Sequence, residues 1–236
     1  MSSLLNRSDK PAARVKRAPP RARASRSSPE KLRDAERSQA AILAAATKAF
    51  ATHGLGGARM DSIAEQAGLN KRLIYYYFGD KDRLFQAVLE QSYRQIREEE
   101  RALRLESLAP EAALRALVTF TWTYYLSHPE FLTLLNSANL HKARHLKDSR
   151  RARELNSPLI ELLEAILQRG VDAGEFRIGI DPVQLYISIA ALSYFYLSNN
   201  PTLSAIFGRD LMSLRARNAR LAHMSDVIVS FVQNHS

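Results

Sequence analysis

Apolar residues recur at intervals of three and four along most of the chain, and no stretch of useful length alternates apolar with polar positions. The first spacing is typical of amphipathic helices, whereas alternation would indicate strands. The pattern therefore predicts an all-α protein of about nine helices. The predicted ranges are 38–53, two short helices within 59–80, then 81–105, 111–127, 129–141, 158–173, 182–198 and 214–233, with a short turn at 203–207.

The segment 59–81 predicts a helix-turn-helix. Gly68 lies where the chain must turn, because glycine adopts a positive φ at little cost. Asn70 is a good N-cap for the second helix, and Ile74 and Phe78, four residues apart, face the core. The cations and tyrosines of the second helix are then left for its outer faces. The spacing alone leaves open a plain helical domain in which the tyrosines are core residues.

The sequence around this segment reads AILAAATKAFATHGLGGARMDSIAEQAGLNKRLIYYYFGDKDRLFQAVLE. Over residues 34–94 the chain resembles the N-terminal DNA-binding domain of the TetR/AcrR family of bacterial transcriptional regulators. A supporting helix, a glycine loop, the helix-turn-helix, its Tyr-Tyr-Tyr-Phe end and the Asp-Lys opening of the next helix follow in the family's order. The resemblance implies a DNA-binding regulator, most often a repressor, that binds a palindromic operator as a homodimer and is released by a small-molecule effector.

The resemblance also implies which residues contact double-stranded operator DNA. The recognition helix covers about 70–77, and such a helix places its first turns against base edges. Base-reading positions then fall at 71–73, and phosphate-holding positions at 75, 76 and 81. The expected set is Arg59, Asn70, Lys71, Arg72, Leu73, Tyr75, Tyr76 and Lys81. Where the family often has Thr or Ser, this chain has Arg59, so the helix cap is lost and we expect Arg59 to hold a phosphate instead.

The predicted helix 182–198 is apolar nearly all round, and such a helix is buried on every side. A small domain covers only one side, so the other side should meet another molecule. With the last helix it would form a four-helix bundle across a two-fold axis. The apolar stripe of the last helix is Leu221, Met224, Val227, Ile228 and Phe231. The family resemblance agrees, since its last two helices dimerise. A monomer that encloses the helix fully is the alternative.

The C-terminal half resembles one branch of the family with a generic ligand-binding and dimerisation domain, in stretches such as RARELNSPLIELLEAILQRGVDAGEFR. The family encloses a small-molecule pocket here, and aromatic linings with a few polar groups are usual for ligand sites. The candidate lining is Trp122, Tyr125, Phe131, Leu135, Tyr186 and Phe195. Because aromatic residues at helical spacing are more often core, both interpretations stay open. The effector is unknown.

The helix 81–105 is predicted to link the two domains. Its first turns face the DNA-binding core, and its polar stretch 94–101 should carry it across to the second domain. An effector held among the later helices would then move this helix and change the separation of the two recognition helices.

The net charge of +10 is concentrated at the N-terminus. Residues 1–29 carry eight Lys or Arg against one Asp, a net charge of +7, and four of the nine prolines. Such a segment cannot bury a core and should be disordered. It is either a basic arm that reaches phosphates or the minor groove, a solvated tail, or the result of a misplaced start codon. The expected division is 1–33 for this arm, 34–94 for the DNA-binding domain and 95–236 for the ligand-binding and dimerisation domain.

Several classes of protein are not expected. Without cysteine there is no disulfide framework, thiolate chemistry or zinc finger, which fits a cytoplasmic protein. The chain has no apolar run of about 20 residues, so no membrane span is predicted. The charged N-terminus lacks the apolar core of a secretory signal. No Gly-x-Gly-x-x-Gly, Gly-x-Ser-x-Gly or His-Glu-x-x-His motif occurs. We therefore expect no enzyme activity, no cofactor and no metal.

Two alternative functions and one candidate metal site remain open. The protein could be a dimeric helical binding protein whose helix-turn-helix is vestigial, or an enzyme with its active site in the second-half cavity. His141 and His145 are four residues apart and could chelate a metal ion. They lie in a basic stretch with no carboxylate closer than Asp148, so a solvated polar face is the preferred interpretation.

Overall fold

The computed structural model of the protein describes residues 29–147 and 149–234, without the side chains of residues 29, 30, 150–153, 155 and 156. Within this part the chain forms ten α-helices, a 3-10 turn at Leu105–Ser107 and no β-strand. The helices are α1 Pro29–Gly57, α2 Met60–Ala67, α3 Lys71–Phe78, α4 Lys81–Arg101, α5 Pro110–Ser127, α6 Pro129–Leu140, α7 Arg144–Lys147, α8 Arg150–Asp172, α9 Pro182–Phe207 and α10 Leu214–Val232. The all-α prediction is confirmed, and the short α7 accounts for the helix beyond the predicted nine.

The first core is formed by α1, α2, α3 and the beginning of α4. Phe50 of α1 meets Phe85 of α4 edge to face, with ring centroids 5.1 Å apart. Ile63 and Ile74, one from each helix of the helix-turn-helix, are fully buried in the same cluster. Leu134 of α6 also belongs to this cluster, so α6 packs against the N-terminal bundle although it follows α5 in the chain.

The second core is larger and lies among the end of α4 and the helices α5, α6, α8, α9 and α10. The connection that leads from α4 into this core is held in place by Arg169 of α8. The Arg169 guanidinium donates to the backbone carbonyls of Leu105, Glu106 and Leu108 at 2.9–3.4 Å. These bonds provide acceptor carbonyls of an irregular connection with partners; the Leu105 carbonyl also accepts the Leu108 N–H at 3.2 Å.

Two predicted helix starts are confirmed by their caps. The Asp80 carboxylate accepts the backbone N–H of Arg83 at 2.8 Å, at the beginning of α4. The Asp181 carboxylate accepts the N–H of Val183 at 2.8 Å, with a proline at the first position of α9. Both aspartates satisfy amides that a helix N-terminus leaves free.

Helix α1 is longer than predicted at both ends. It begins at Pro29 rather than at residue 38, and it reaches Gly57 across a break at Gly54, whose φ is 64°. Residues 31–37 are mostly polar and almost all exposed, so this part of the helix has no apolar stripe that a sequence pattern could reveal. Of the expected arm 1–33, residues 1–28 lie outside the described residues, and the last five belong to α1.

Helix α9 continues through Pro201, where the sequence predicted its end. Proline has no N–H for the carbonyl four residues before it, which here belongs to Leu197. The Asn200 side chain donates to that carbonyl instead, at 3.1 Å. The Thr202 hydroxyl adds a bond to the Asn199 carbonyl at 2.8 Å. Side chains thus replace the bond that the proline removes, and the helix persists to Phe207.

The segment after α6 differs from the expectation in detail. Lys142 and Ala143 have φ values of 56° and 52°, which end α6, and the single-turn helix α7 follows. Helix α8 begins at Arg150, eight residues before the predicted start, and keeps Pro158 inside it. The polar residues before this proline concealed the first turns. Helix α4 ends at Arg101, four residues before the predicted end.

The last two long helices expose apolar side chains on one face. Ile187 and Phe195 of α9 are 50% and 58% exposed, whereas Leu185 and Ile189 on the opposite face are buried. The predicted stripe of α10 is divided between two faces. In it Met224 and Ile228 lie in the protomer's core, Val227 and Phe231 are exposed, and Leu221 is partly buried. No helix in the described ranges has the length and apolar character that crossing a membrane requires.

Candidate nucleic-acid interface

The turn between α2 and α3 has the predicted geometry. Gly68 adopts the left-handed conformation, with φ 65° and ψ 27°. Asn70 caps α3, because its side-chain oxygen accepts the Arg72 N–H at 2.9 Å. Arg59 precedes α2 in an extended conformation and provides no side-chain cap, as the sequence indicated. The exposed Arg59 side chain therefore lies at the beginning of α2, where the helix amides are uncapped.

Helix α3 is anchored in the core by Ile74, with Tyr77 and Phe78 packed partly buried against the same cluster, and its other face points outward. Ile74 is fully buried, and Phe78 is only partly buried although we expected it in the core. Tyr76 is 79% exposed and Tyr75 is 45% exposed. Large apolar rings are rarely left in water without a purpose. The outer face of α3 is thus a surface of cations and phenols held in place by the core behind it.

The cations at the start of α3 are in different states. Arg72 is exposed, and Leu73 beside it is half-buried. Lys71 forms an ion pair with Asp61 of α2, with Nζ and Oδ1 2.8 Å apart. The hydrogen bond to Lys71 lowers the pKa of the Asp61 carboxyl, and the same bond raises the pKa of Lys71. Asp61 was missed by the sequence analysis, although an acidic residue in the first turn of α2 and a lysine in α3 indicate such a pair.

Lys81 lies at the first position of α4 and faces the glycine loop. Its Nζ donates to the Gly56 carbonyl at 3.1 Å, which leaves two ammonium hydrogens for another acceptor. Arg83, also missed by the sequence analysis, is exposed on the same turn and lines a shallow groove with the Tyr75–Gly79 segment. The pattern Asp80-Lys81-Asp82-Arg83 is the signal that could have identified it, since the first turn of α4 lies beside the end of α3.

The expected effector residues are only in part brought together. Trp122, Tyr125 and Phe131 are buried in the second core. Leu135 and Tyr186 are partly buried against the same cluster. Phe195 is not among them, because its ring lies on the exposed face of α9. Its neighbour Tyr196 packs edge-on against Trp122, with ring centroids 5.6 Å apart. Since α9 is apolar on nearly all sides, the sequence did not reveal which of the two aromatic residues faces inward.

A buried charged pair lies beside these aromatic residues and was missed. Arg97 and Glu100 of α4 have side chains only 4% and 5% exposed, with Nη1 and Oε2 2.7 Å apart. Burial raises the pKa of the Glu100 carboxyl to about 7, against the opposing effect of Arg97 and Arg101. Burial likewise raises the pKa of Tyr93 to about 12. The polar composition of 94–101 indicated only an exposed connecting helix, and two of its charges are instead enclosed.

The expectation that both histidines lie on a solvated polar face is wrong for His145. His145 is buried, with its ring 5.0 Å from that of Phe85, so it does not belong to a solvated polar face. Its Nε2 lies 3.1 Å from Asp82 Oδ1, and this hydrogen bond is the largest cause that lowers the pKa of Asp82. The ring of His141 is 6.0 Å away. Among the described residues no three metal-ligating side chains converge; the histidine instead connects α7 to the first turn of α4.

Comparison with known families covers both halves of the chain. Residues 42–88 match the family described as bacterial regulatory proteins, tetR family. Residues 110–228 match the tetracyclin repressor-like, C-terminal domain. The two matches thus contain the helix-turn-helix and the bundle formed by α5–α10.

Named relatives are transcriptional regulators. The HTH-type transcriptional repressor NicS of Pseudomonas putida is 42% identical over 193 residues, which are 82% of this chain and 91% of NicS. The HTH-type transcriptional regulator RutR of Escherichia coli is 29% identical over 82% of this chain and 89% of RutR. Among solved structures, the regulator FadR of Bacillus subtilis in complex with stearoyl-CoA is 17% identical, with a TM-score of 0.60, over 82% of this chain and 99% of FadR. That likeness concerns the fold.

Proposed function

The chain belongs to the TetR family of bacterial transcriptional regulators, and we propose that it is a repressor that binds a palindromic operator as a homodimer and leaves it when a small molecule binds. The observation that carries the proposal is the outer face of α3. That face exposes a cation and two tyrosines while Ile74 anchors the helix from behind.

The proposed contacts divide into two kinds. Arg72, at the second position of α3, is the candidate for reading a base edge, with Lys71 and Leu73 beside it. Tyr75, Tyr76 and Lys81 are the candidates for holding phosphates, and Arg59 and the cap residue Asn70 flank the same surface. Lys71 must leave Asp61 to reach DNA, so we expect it to contribute less than Arg72. Arg83 joins the phosphate-holding group because it is exposed next to the end of α3.

The proposed dimer uses the exposed faces of α9 and α10. Exposed apolar side chains commonly mark interfaces when they form a contiguous patch, and Ile187 and Phe195 of α9 and Val227 of α10 are all exposed. Pairing the same two helices from each protomer gives an isologous interface. It must also hold the two recognition helices one DNA turn apart, about 34–36 Å, or a multiple of it.

The proposed effector site lies in the aromatic part of the second core, with α4 as the element that it moves. Leu84 of α4 is buried in the first core and Ile96 in the second. The 21 residues of α4 span about 30 Å, so a displacement at its end changes the position of the helix-turn-helix. Because α4 contributes side chains to both cores, we place the boundary between the two domains within this helix, at residues 94 and 95.

DNA binding is tested by a gel-shift assay with the DNA upstream of the protein's own gene. We expect a complex that resists excess random DNA, and its absence would favour the helical binding protein with a vestigial helix-turn-helix. A screen of metabolites for release of that complex then tests the effector. Release by none of them, with the complex intact, would contradict the releasable repressor.

Dimerisation is tested by light scattering on two matched variants. Phe195→Glu introduces a charge on the exposed face of α9 and should give a monomer. Leu140→Glu makes the same change at a residue of α6 that is 81% exposed and lies outside the proposed interface, and it should leave the dimer intact. A dimeric Phe195→Glu variant would contradict the proposed interface.

A further inference from the structure

Arg97 is a buried cation with unused hydrogen-bonding capacity. Its Nη2 donates to the Tyr186 hydroxyl at 3.2 Å. The contact of Nη1 with Glu100 lacks hydrogen-bond alignment, and Nε also has no acceptor, so both nitrogens are buried without a bonded partner. An unsatisfied buried donor costs free energy, and more so on a charged group. The guanidinium is therefore better suited to a second acceptor group than to the one present.

The surroundings of Arg97 are apolar rings on one side and a small void on the other. The guanidinium lies 5.5 Å from the centroid of the Tyr186 ring. Tyr93 and Tyr125 of the same region both contact Phe131, with ring centroids 5.7 Å apart in each pair.

The void has a volume of about 30 Å³, which leaves room for no more than a few water molecules. It is lined by Arg97, Glu100 and Arg101 of α4 and by Pro158, Leu159 and Leu162 of α8. The charged pair thus faces an aliphatic wall. A ligand larger than water enters only where the Glu100 side chain makes room.

We infer that the effector is a small carboxylic acid with an apolar ring, whose carboxylate takes the place of the Glu100 carboxylate opposite Arg97. This inference rests on the proposed function, because it names the ligand class of the proposed effector site. A planar carboxylate accepts two parallel bonds from an arginine fork. The forks of Arg97 pair Nη2 with either Nε or Nη1, so the acid takes the second Nη2 hydrogen together with one of the two unbonded nitrogens. The ring of the acid packs on the apolar walls that border the pair.

Glu100 occupies the site as an internal substitute for the acid. It lies three residues from Arg97 on the same helix, and its carboxylate approaches Nη1 without the alignment of a hydrogen bond. The raised pKa of Glu100 eases the exchange, because the displaced side chain takes up a proton from solvent and carries no charge into the apolar surroundings.

The test measures binding by calorimetry with the full-length protein at neutral pH and without DNA. The probes are benzoate and cyclohexanecarboxylate, their neutral amides, and inorganic phosphate. We expect at least one acid to bind at millimolar concentration or tighter. Its neutral amide should bind about 10-fold more weakly or not at all, since the charge-assisted bonds to arginine are lost. Phosphate keeps the charge and lacks the apolar ring, and it should also bind more weakly than the acid. Binding of neither acid, or equal binding of acid and amide, would overturn the inference. Tighter binding of phosphate than of either acid would overturn the requirement for an apolar ring.

Three variants locate the site. Arg97→Gln should weaken the acid about 10-fold or more. Glu100→Gln, which retains the arginine and removes the competing carboxylate, should bind the acid more tightly than the wild type. Arg101→Gln removes the same charge from an exposed residue at the rim of the void and should change the affinity by no more than about 3-fold. If Arg97→Gln fails to fold, Glu100→Gln still decides, with Arg101→Gln as its control: weaker or unchanged binding by Glu100→Gln refutes the exchange.

A gel shift with the same acids separates this inference from the proposed function. An acid that binds at Arg97 and leaves the operator complex intact supports the ligand class and contradicts release. Release by a neutral compound, with neither acid bound, supports the releasable repressor and contradicts the ligand class.

Discussion

Replacing Arg72 with alanine should reduce operator affinity and also the preference of the protein for its operator over random DNA. Arg72 lies in the first turn of α3, where a recognition helix contacts base edges, and its side chain is exposed. The backbone N–H of Arg72 donates to the Asn70 side chain, and this bond does not involve the guanidinium. Among the described residues no acidic side chain is paired with the Arg72 guanidinium, in contrast to Lys71, which is paired with Asp61.

The expected magnitude follows from the contact and its copy number. A bidentate arginine contact to guanine contributes about 1–3 kcal/mol of discrimination, which corresponds to about 5–150-fold in affinity. A dimer on a palindrome makes the contact twice, so the loss per dimer is about 2–6 kcal/mol if the half-sites are independent. The cap that Asn70 supplies to α3 uses the backbone of residue 72 and survives the substitution, so the helix itself should remain.

The assay is a titration of operator and of random DNA at several salt concentrations, with Lys81→Ala as the matched control. Lys81→Ala should weaken both DNAs alike and flatten the salt dependence by about one unit per subunit, as expected for a phosphate contact. Thermal unfolding of both variants checks that neither loss reflects unfolding. If Arg72→Ala loses specific and random binding equally, Arg72 holds a phosphate and does not read a base.

Three further predictions follow from other parts of the molecule. Asn200→Ala should lower the free energy of unfolding by about 1–3 kcal/mol in chemical denaturation, because the carbonyl freed by the proline loses its donor; Asn199→Ala, whose acceptor also receives a helix N–H, should cost less. Glu100, whose pKa is raised from 4.5 to about 7, binds more protons in the folded state, so stability should fall by up to about 3 kcal/mol as pH rises from 4.5 to 7, and Glu100→Gln should show a flatter pH profile. Deleting residues 1–28 should weaken operator binding and its salt dependence and leave thermal unfolding unchanged; equal affinity at low salt would refute the arm.

Local signals account for the parts that the sequence predicted well. Asn70 was recognised as a cap because an N-cap depends on a side chain and an amide two or three residues later. The caps Asp80 and Asp181 are equally local. Gly68 was recognised because its turn requires a positive φ. The face of α3 followed from one buried residue, Ile74, and the helical period. These elements are decided within a few residues of sequence, and they include most of the candidate nucleic-acid interface.

The features that the sequence did not predict depend on contacts between distant residues. Whether α9 ends at Pro201 is decided by the Asn200 side chain, which is not visible as a helix signal. Phe195 was assigned to the interior because α9 has no polar face from which its orientation could be read. His145 was assigned to the surface because its partner, Asp82, lies 63 residues earlier in the chain. In each case the residue type was known, and the contacts that it makes in the fold were not.

The position of the buried pair suggests why α6 as well as α4 should respond to an effector. Phe131 of α6 belongs to the aromatic group near Arg97, and Leu134, one turn later, is buried in the core of the DNA-binding bundle. A ligand that repositions the ring of Phe131 therefore shifts a helix whose next turn contacts α1, while displacement of Glu100 acts on α4 directly. The two binding free energies are linked. The factor by which the acid weakens operator binding is therefore the factor by which operator weakens binding of the acid. Helix α4 contacts α3 and helix α6 contacts α1. The two helices therefore act on different parts of the DNA-binding bundle, and we expect the recognition helices to rotate as well as to separate.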